Sequence, residues 1–315
     1  MSATVSYLGP AGTFTEAALW KFAETGVFRT LDITPLPATN PREAIDAVRD
    51  GAADFACVAI ENSVDGPVTP TFDAIAAGRG VHIYAELDLP IAFAMMVKPG
   101  IDLSQVHRVA THPVAYQQVK TWLAETIGEH EFIPASSNAA AAQLVADGGA
   151  DLAAAPTRSA DLFALDIVAD DIADVAGART RFVVVGPSGP PPKPTGVDRT
   201  AVVFTLRNEP GSLVAALTEF AVRGVDLSRI ESRPIETGLG TYRFHVDING
   251  HIADPLVAEA LRALYTHCDS IRFLGSWPVA QANDRELELH QHRQRLAEAD
   301  AWVKAAAVGQ ESESE

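Results

Sequence analysis

Cysteine is scarce: the 315 residues hold two, Cys57 and Cys268, far apart in the chain. Neither belongs to a CxxC pair, which excludes a zinc knuckle or a dithiol redox motif, and no disulfide framework is expected. Cys57 lies inside the apolar run Phe55–Ile60, where a thiol is inert. Long hydrophobic runs are missing too, and nothing approaches the roughly 18 apolar residues of a membrane-spanning helix. The opening Thr4-Val5-Ser6-Tyr7-Leu8 reads as a strand, without the basic and apolar regions of a secretory leader, so the expected location is the cytoplasm. Basic residues are few, 24 Lys and Arg against 41 Asp and Glu, for a net charge of −17. That balance argues against nucleic-acid and anionic-membrane partners, which need a basic patch. A small anionic substrate stays open, because salt screens the global charge beyond roughly 8 Å and local groups decide. Nucleotide motifs are absent: Gly9-Pro10-Ala11-Gly12 lacks a third glycine, and no Gly-Lys-Ser/Thr follows it. No metal site is visible, since His290 and His292 are two apart and point to different sides of a helix. No Ser-His-Asp order is readable.

What is present describes a two-domain chain, three domains at most, with 47% hydrophobic residues and a real core. Val5–Leu8 is a strand, Gly9–Gly12 a turn, and Thr13 to Glu16 a capping box opening a helix to about Glu24. A strand, a glycine turn and a helix N-terminus make an anion site or simply a helix start. Thr39-Asn40 then opens a helix that breaks at Asp50-Gly51 before the buried strand Asp54–Ile60. About 97 residues later Ser137-Asn138 opens a similar helix, broken at Asp147-Gly148 before Asp151–Ala155. Either Ala-rich helices resemble each other by chance, or the chain builds two similar α/β lobes. Two lobes predict a cleft, because ligands in such sheets sit at the carboxyl ends of the strands. Between the echoes, Val81–Met96 crosses from the first lobe to the second, Val106–Thr111 is a strand, and Val114 to about Thr126 a helix.

Gly186–Gly196 holds five prolines and reads as a stiff linker. Beyond it the order is βαββαβ from Thr200 to Trp277, the ferredoxin-like arrangement, with a hairpin turn at Gly238-Leu239-Gly240. A charged helix from Asn283 to about Val308 and a disordered acidic tail, Gln310–Glu315, close the chain.

The stretch Ala178-Arg179-Thr180-Arg181-Phe182 ends the first folded part, with two arginines, a hydroxyl and a ring at a strand start. It is an edge strand with solvated arginines, or it holds a small anion. His112, before Pro113, is a base or a helix cap. With Thr13, Asn62, Ser63, Ser136 and Ser137, the residues Thr180 and Arg181 form a set suited to binding a polar anion and stabilising developing charge. Such a set suits a reaction that is intrinsically downhill and needs positioning and leaving-group assistance.

Taken in order, these stretches resemble the prephenate dehydratase family with a C-terminal ACT domain. The residues that carry the resemblance are Tyr7–Phe14, Ile60–Ser63, Thr111-His112-Pro113 with Gln117, Ser136-Ser137 and Thr180-Arg181-Phe182. In the last domain they are Gly211–Val214 and Glu231–Pro234. The chain departs from the pattern at Ala178, where the family usually has Asn, and at Ser212, where Ala is commoner. The resemblance implies an α/β fold: a two-lobed, periplasmic-binding-protein-like catalytic domain with a cleft, then a ferredoxin-like ACT domain. The expected boundaries are 1–186 (lobe one about 1–78 plus 165–186, lobe two about 79–164), linker 187–198, ACT domain 199–278, and helix with tail 279–315. It implies conversion of prephenate to phenylpyruvate with loss of carbon dioxide and water, with no cofactor and no metal. Thr180 would assist the leaving hydroxide, and Arg181, Phe182, Asn62, Ser63, Thr13 and Ser137 would bind substrate. L-phenylalanine would bind as inhibitor at Gly211, Ser212, Leu213, Glu231, Ser232, Arg233 and Pro234, between ACT domains of a homodimer or homotetramer. An arogenate-preferring dehydratase and a non-enzymatic amino-acid sensor are the alternatives.

Overall fold

The structure, a computed structural model, describes residues 2–30, 32–235, 242–281 and 284–309. The chain divides into two compact units, Met1–Gly189 and Pro190–Glu315. The first unit opens with β1 (Ala3–Leu8), α1 (Phe14–Glu24), β2 (Ile33–Ala38), α2 (Pro41–Arg49), β3 (Phe55–Asn62), β4 (Gly66–Pro67), α3 (Thr69–Ala77) and β5 (Val81–Pro90). It continues with β6 (Phe93–Val97), β7 (Arg108–Thr111), α4 (Pro113–Gln118), α5 (Lys120–Thr126), β8 (Glu131–Pro134), α6 (Asn138–Asp147), β9 (Leu152–Ala155), α7 (Thr157–Phe163), β10 (Asp166–Ile172) and β11 (Arg179–Pro187).

These strands make two sheets, ordered β2-β1-β3-β11-β5 and β10-β6-β9-β7-β8. Read from β8, the second sheet repeats the first: three parallel strands, one antiparallel to them, and a last strand antiparallel to that one. The repeated helix–strand pairs are α2–β3 and α6–β9. Both helices start on a side-chain cap, Asn40 and Ser137, and both strands are apolar and deeply buried.

The lobe boundaries differ from the expected ones. β5 belongs to the first sheet, where it pairs along the whole of β11, and β10 belongs to the second. Val81–Leu89 alternates, with His82, Glu86 and Asp88, and Ile91–Met96 is wholly apolar, but neither half states which sheet it joins. The break falls at Pro90, which has no N–H to continue a ladder. The two crossings lie side by side, with Ile91 N–H donating to Ala178 C=O at 2.8 Å. The helix expected over 114–126 is broken at Val119 into α4 and α5. The expected linker is also shorter, because β11 runs on to Pro187 and Ser188 N–H is held by Gly80 C=O.

The second unit contains β12 (Asp198–Leu206), α8 (Ser212–Ala221), β13 (Leu227–Pro234), β14 (Tyr242–Asn249), α9 (Pro255–His267), β15 (Cys268–Pro278) and α10 (Asp284–Ala307). Its sheet is antiparallel in the order β13-β14-β12-β15, the ferredoxin-like arrangement. Val202, Phe204, Val246 and Ile248 pack against Ala216, Phe220, Val257 and Leu264 of the two helices. The proline-rich segment is clamped to this unit: the Asp198 carboxylate accepts from Thr195 and Gly196 N–H, and His251 Nε2 hydrogen-bonds Pro192 C=O at 3.0 Å. The hairpin turn expected at Gly238–Gly240, the helix start at Asn283 and the tail Gln310–Glu315 lie outside the described residues. No helix among the described residues is long and apolar enough to cross a membrane.

Candidate active site

A cavity of about 630 Å³ opens where the strand ends of the two lobes meet. Four helix starts line it: Thr13 before α1, Thr39 before α2, His112 before α4 and Ser137 before α6. Each is placed by a parallel strand that ends at the cleft and a turn that reverses into the helix. The caps are engaged locally. Thr13 Oγ1 accepts from Glu16 N–H and donates to Leu8 C=O, Ser137 Oγ accepts from Ala140 N–H, and His112 Nδ1 accepts from Val114 N–H. The Thr13–Glu16 capping box is altered, because the Glu16 carboxylate accepts from Gly12 N–H at 2.7 Å instead of from Thr13. What the helix starts offer a ligand is therefore first-turn backbone N–H and the positive ends of dipoles, not cap hydroxyls.

Thr180 and Phe182 of β11 enter the cavity from one face of the strand. Thr180 stands opposite Asn62 in the β3–β11 register, and Asn62 Nδ2 donates to its Oγ1 at 3.3 Å. The orientation of that amide is fixed, because Asn62 Oδ1 already accepts from Val64 and Asp65 N–H at 2.7 and 3.2 Å. Thr180 Oγ1 is thus an acceptor toward Asn62, and its own proton is free to be donated into the cavity. Phe14, Ile91 and Phe93 form an apolar wall, with Phe14 and Phe93 edge to face at 5.6 Å.

Arg181 and Ser63 are not brought to the cavity. A strand alternates faces, so Arg181 points away from Thr180 and Phe182. Its register partners are Glu61 and Asp88, and it pairs with both, at 3.1 and 3.3 Å. Burial opposes its charge, but Glu86, Asp88 and Glu61 more than offset this and hold its pKa above the ordinary value. The expectation that Arg181 takes a substrate carboxylate is corrected: its guanidinium is occupied by the protein's own carboxylates. Ser63 Oγ accepts from Arg179 N–H at 2.9 Å and staples β11 to β3. Among the described residues no lysine or arginine lines the cavity. Ala178 is buried against the Ile91–Phe93 side of the second lobe's core.

Gln118 was missed in favour of Gln117, which is exposed. Gln118 lines the cavity and is 3% exposed. Its Nε2 donates to Asp65 Oδ2 at 3.2 Å across the cleft, and its Oε1 is buried with no hydrogen-bond partner among the described residues. The signal was there: Ala115, Gln118 and Val119 fall on the buried side of one helical turn. Burial pushes the pKa of His112 down, with Asp65 opposing, so its ring is neutral at pH 7. Burial also pushes the Cys57 thiol up. Among the described residues no histidine, lysine or cysteine hydrogen-bonds Thr180. The cavity can hold an anion on helix ends, enclose an apolar ring and donate one proton-bearing hydroxyl to a leaving oxygen.

In the second unit, Gly211 and Ser212 border a shallow depression with Arg207, His267 and Asp269. Leu213 packs on the core. Glu231, Ser232, Arg233 and Pro234 lie on β13, the sheet edge, and do not line that depression.

A family model described as prephenate dehydratase matches residues 5–189, and one for the ACT domain matches residues 200–264. A prephenate dehydratase of Corynebacterium glutamicum is 59% identical over 305 residues, 97% of this chain and 96% of that protein. The crystal structure of an Arthrobacter aurescens prephenate dehydratase in complex with L-Phe is 41% identical with a TM-score of 0.84, covering 97% of this chain and 100% of that one. A structure described as GqqA, a novel type of quorum quenching acylase, is 29% identical with a TM-score of 0.78, covering 88% and 98%.

Proposed function

The chain belongs to the prephenate dehydratase family, and from that premise we propose that it converts prephenate to phenylpyruvate, carbon dioxide and water in phenylalanine synthesis. Prephenate is a dianion whose ring becomes aromatic when carboxylate and hydroxide leave together, so the reaction is downhill and asks the protein for positioning. The observation that carries the reading is the Asn62–Thr180 contact in a cavity lined by no cationic side chain among the described residues. Thr180 would donate its free proton to the departing oxygen, a bond that strengthens as charge develops. First-turn amides of α1 and α6 would hold the carboxylates. The orphan Gln118 Oε1 would accept from the substrate hydroxyl, and Phe182 with Phe14 and Phe93 would enclose the ring, favouring loss of the carboxylate as a neutral gas.

The second unit would bind L-phenylalanine as feedback inhibitor. The complex of the Arthrobacter relative supports this, as does the turn at Gly211, Ser212 and Leu213. The segment Glu231-Ser232-Arg233-Pro234 lies on the edge strand, so a site combining both needs a second copy, in a homodimer or homotetramer. The protein would work in the cytoplasm.

Acyl hydrolysis, the activity named for the third relative, finds less support. It needs a nucleophile activated by a base, and the hydrogen bond made to Thr180 comes from an amide donor. Purified protein given prephenate, arogenate or an acylated compound separates the readings. The expected result is aromatic product from prephenate, suppressed by phenylalanine. Turnover of arogenate with none of prephenate transfers the assignment, and no product from either favours a sensor.

A further inference from the structure

The turn that carries Thr13 comes from the first lobe, yet it is fastened by the second. Glu16, on the first turn of α1, is 5% exposed. Its Oε2 accepts from Gly12 N–H at 2.7 Å, and the Arg158 guanidinium of α7 closes on the same oxygen at 3.3 Å. Ser159, the next residue of α7 and fully buried, donates Oγ–H to Gly12 C=O at 3.0 Å. Both polar groups of the Gly12 backbone are therefore held, one by Glu16 and one by the facing lobe. Gly12 has φ +88°, and a Cβ there would meet Ser159 Oγ and Leu162 Cδ1 at 3.1 Å. Only glycine allows both that backbone and so close an approach of α7.

A buried carboxylate is stable when paired and hydrogen-bonded. Here the pairing cation belongs to the opposite lobe, so the conformation of the Gly9–Thr13 turn depends on how the lobes meet. Gly9, Pro10, Thr13, Phe14 and Thr15 line the cavity, so whatever fixes Gly12 fixes them. We propose that Glu16, Arg158 and Ser159 form a latch between the lobes that positions this turn, and the first-turn amides of α1, against the ligand. They are positioning residues that act through Gly12. The kinetic part of the proposal rests on the function proposed above; the latch itself does not.

The test uses full-length Arg158→Met and Ser159→Ala. Amide hydrogen exchange is followed in residues 9–16, with the β3 core as internal control. The expected result is exchange about tenfold faster in 9–16 and unchanged in β3, since local opening is separable from global unfolding. With prephenate, KM should rise about tenfold while kcat moves less than about threefold, because these amides grip ground state and transition state alike. Arg158→Lys should recover part of the KM change. Glu16→Gln, which keeps an acceptor for Gly12 N–H, should fall between wild type and Arg158→Met. Unchanged exchange in 9–16, or faster exchange with a wild-type KM, overturns the latch as a positioning device. If the wild-type protein leaves prephenate untouched, the proposed function falls instead, and the exchange result alone decides the latch.

Discussion

The antiparallel strand of the first lobe, β11, and that of the second, β6, hold equivalent places beside β3 and β9. They bring different things to the cavity. β11 brings Thr180 and Phe182, with Asn62 from the end of β3 beside them; β6 brings Phe93, a wall. The helix ends are shared nearly evenly, α1 and α2 from one lobe, α4 and α6 from the other. A repeated βα scaffold thus supplies a symmetric arrangement of helix dipoles around the cavity, and on the function proposed above the leaving-group chemistry would fall to one strand of one lobe. On that function the fold would account for binding and a few side chains for turnover.

The largest expected effect comes from erasing that asymmetry at its source. Thr180→Ala should lower kcat by about 10²-fold or more, about 2.7 kcal/mol, with little change in KM. Steady-state rates on prephenate measure it, and near-wild-type turnover would sink the assignment. Next is the side chain the second lobe does contribute. Gln118→Leu should lower kcat/KM by about tenfold, removing an acceptor for the substrate and the tie to Asp65. A loss larger than that of Thr180→Ala would put the chemistry in the second lobe.

Arg181 sharpens the comparison from the opposite face of β11. Arg181→Met should leave KM within about twofold and lower stability by about 2 kcal/mol, because Glu61, Asp88 and Glu86 lose their shared partner. In a unit of this size that corresponds to a melting point lower by about 4–8 °C. A large rise in KM at an unchanged melting point would return Arg181 to the substrate.

Arg181 also shows how far the sequence could be read. Most strands, both helix–strand echoes, the cleft and the ferredoxin-like unit follow from periodicity, caps and Asp-Gly breaks, which are local; the short β2, β4 and β8, each holding proline, do not. Thr180, Phe182, Asn62, Thr13 and Ser137 were legible as neighbours because they sit at strand ends and helix starts. Alternation puts Arg181 on the face opposite Thr180 and Phe182, but what occupies that face depends on its cross-strand partners. Glu61 on β3 and Asp88 on β5 lie 120 and 93 positions away and become partners only in the folded register. The lobe boundary failed for a similar reason: the pattern changes at Pro90, from the alternating Val81–Leu89 to the wholly apolar Ile91–Met96, but only hydrogen-bonding partners tell which sheet each half joins. Gln118 was legible from its spacing with Ala115 and Val119, but its partner Asp65, 53 positions away, was not.

The smallest expected effect is at His112, the second lobe's counterpart of Thr13. Its Nδ1 accepts from Val114 N–H, which requires a ring unprotonated at that atom. Burial lowers its folded pKa, Asp65 opposing, while the unfolded ring titrates near 6.5. The unfolded chain therefore binds the proton more readily, so this contribution is present above about pH 6.5 and lost as pH falls through the lower folded value. Asparagine is a good N-cap that does not titrate. His112→Asn should thus keep kcat within about twofold at pH 7.5 and flatten the fall in melting temperature on acidification below about pH 6.5. A tenfold loss of kcat would make His112 a base, give the second lobe its own share of the chemistry and end the asymmetry argued here.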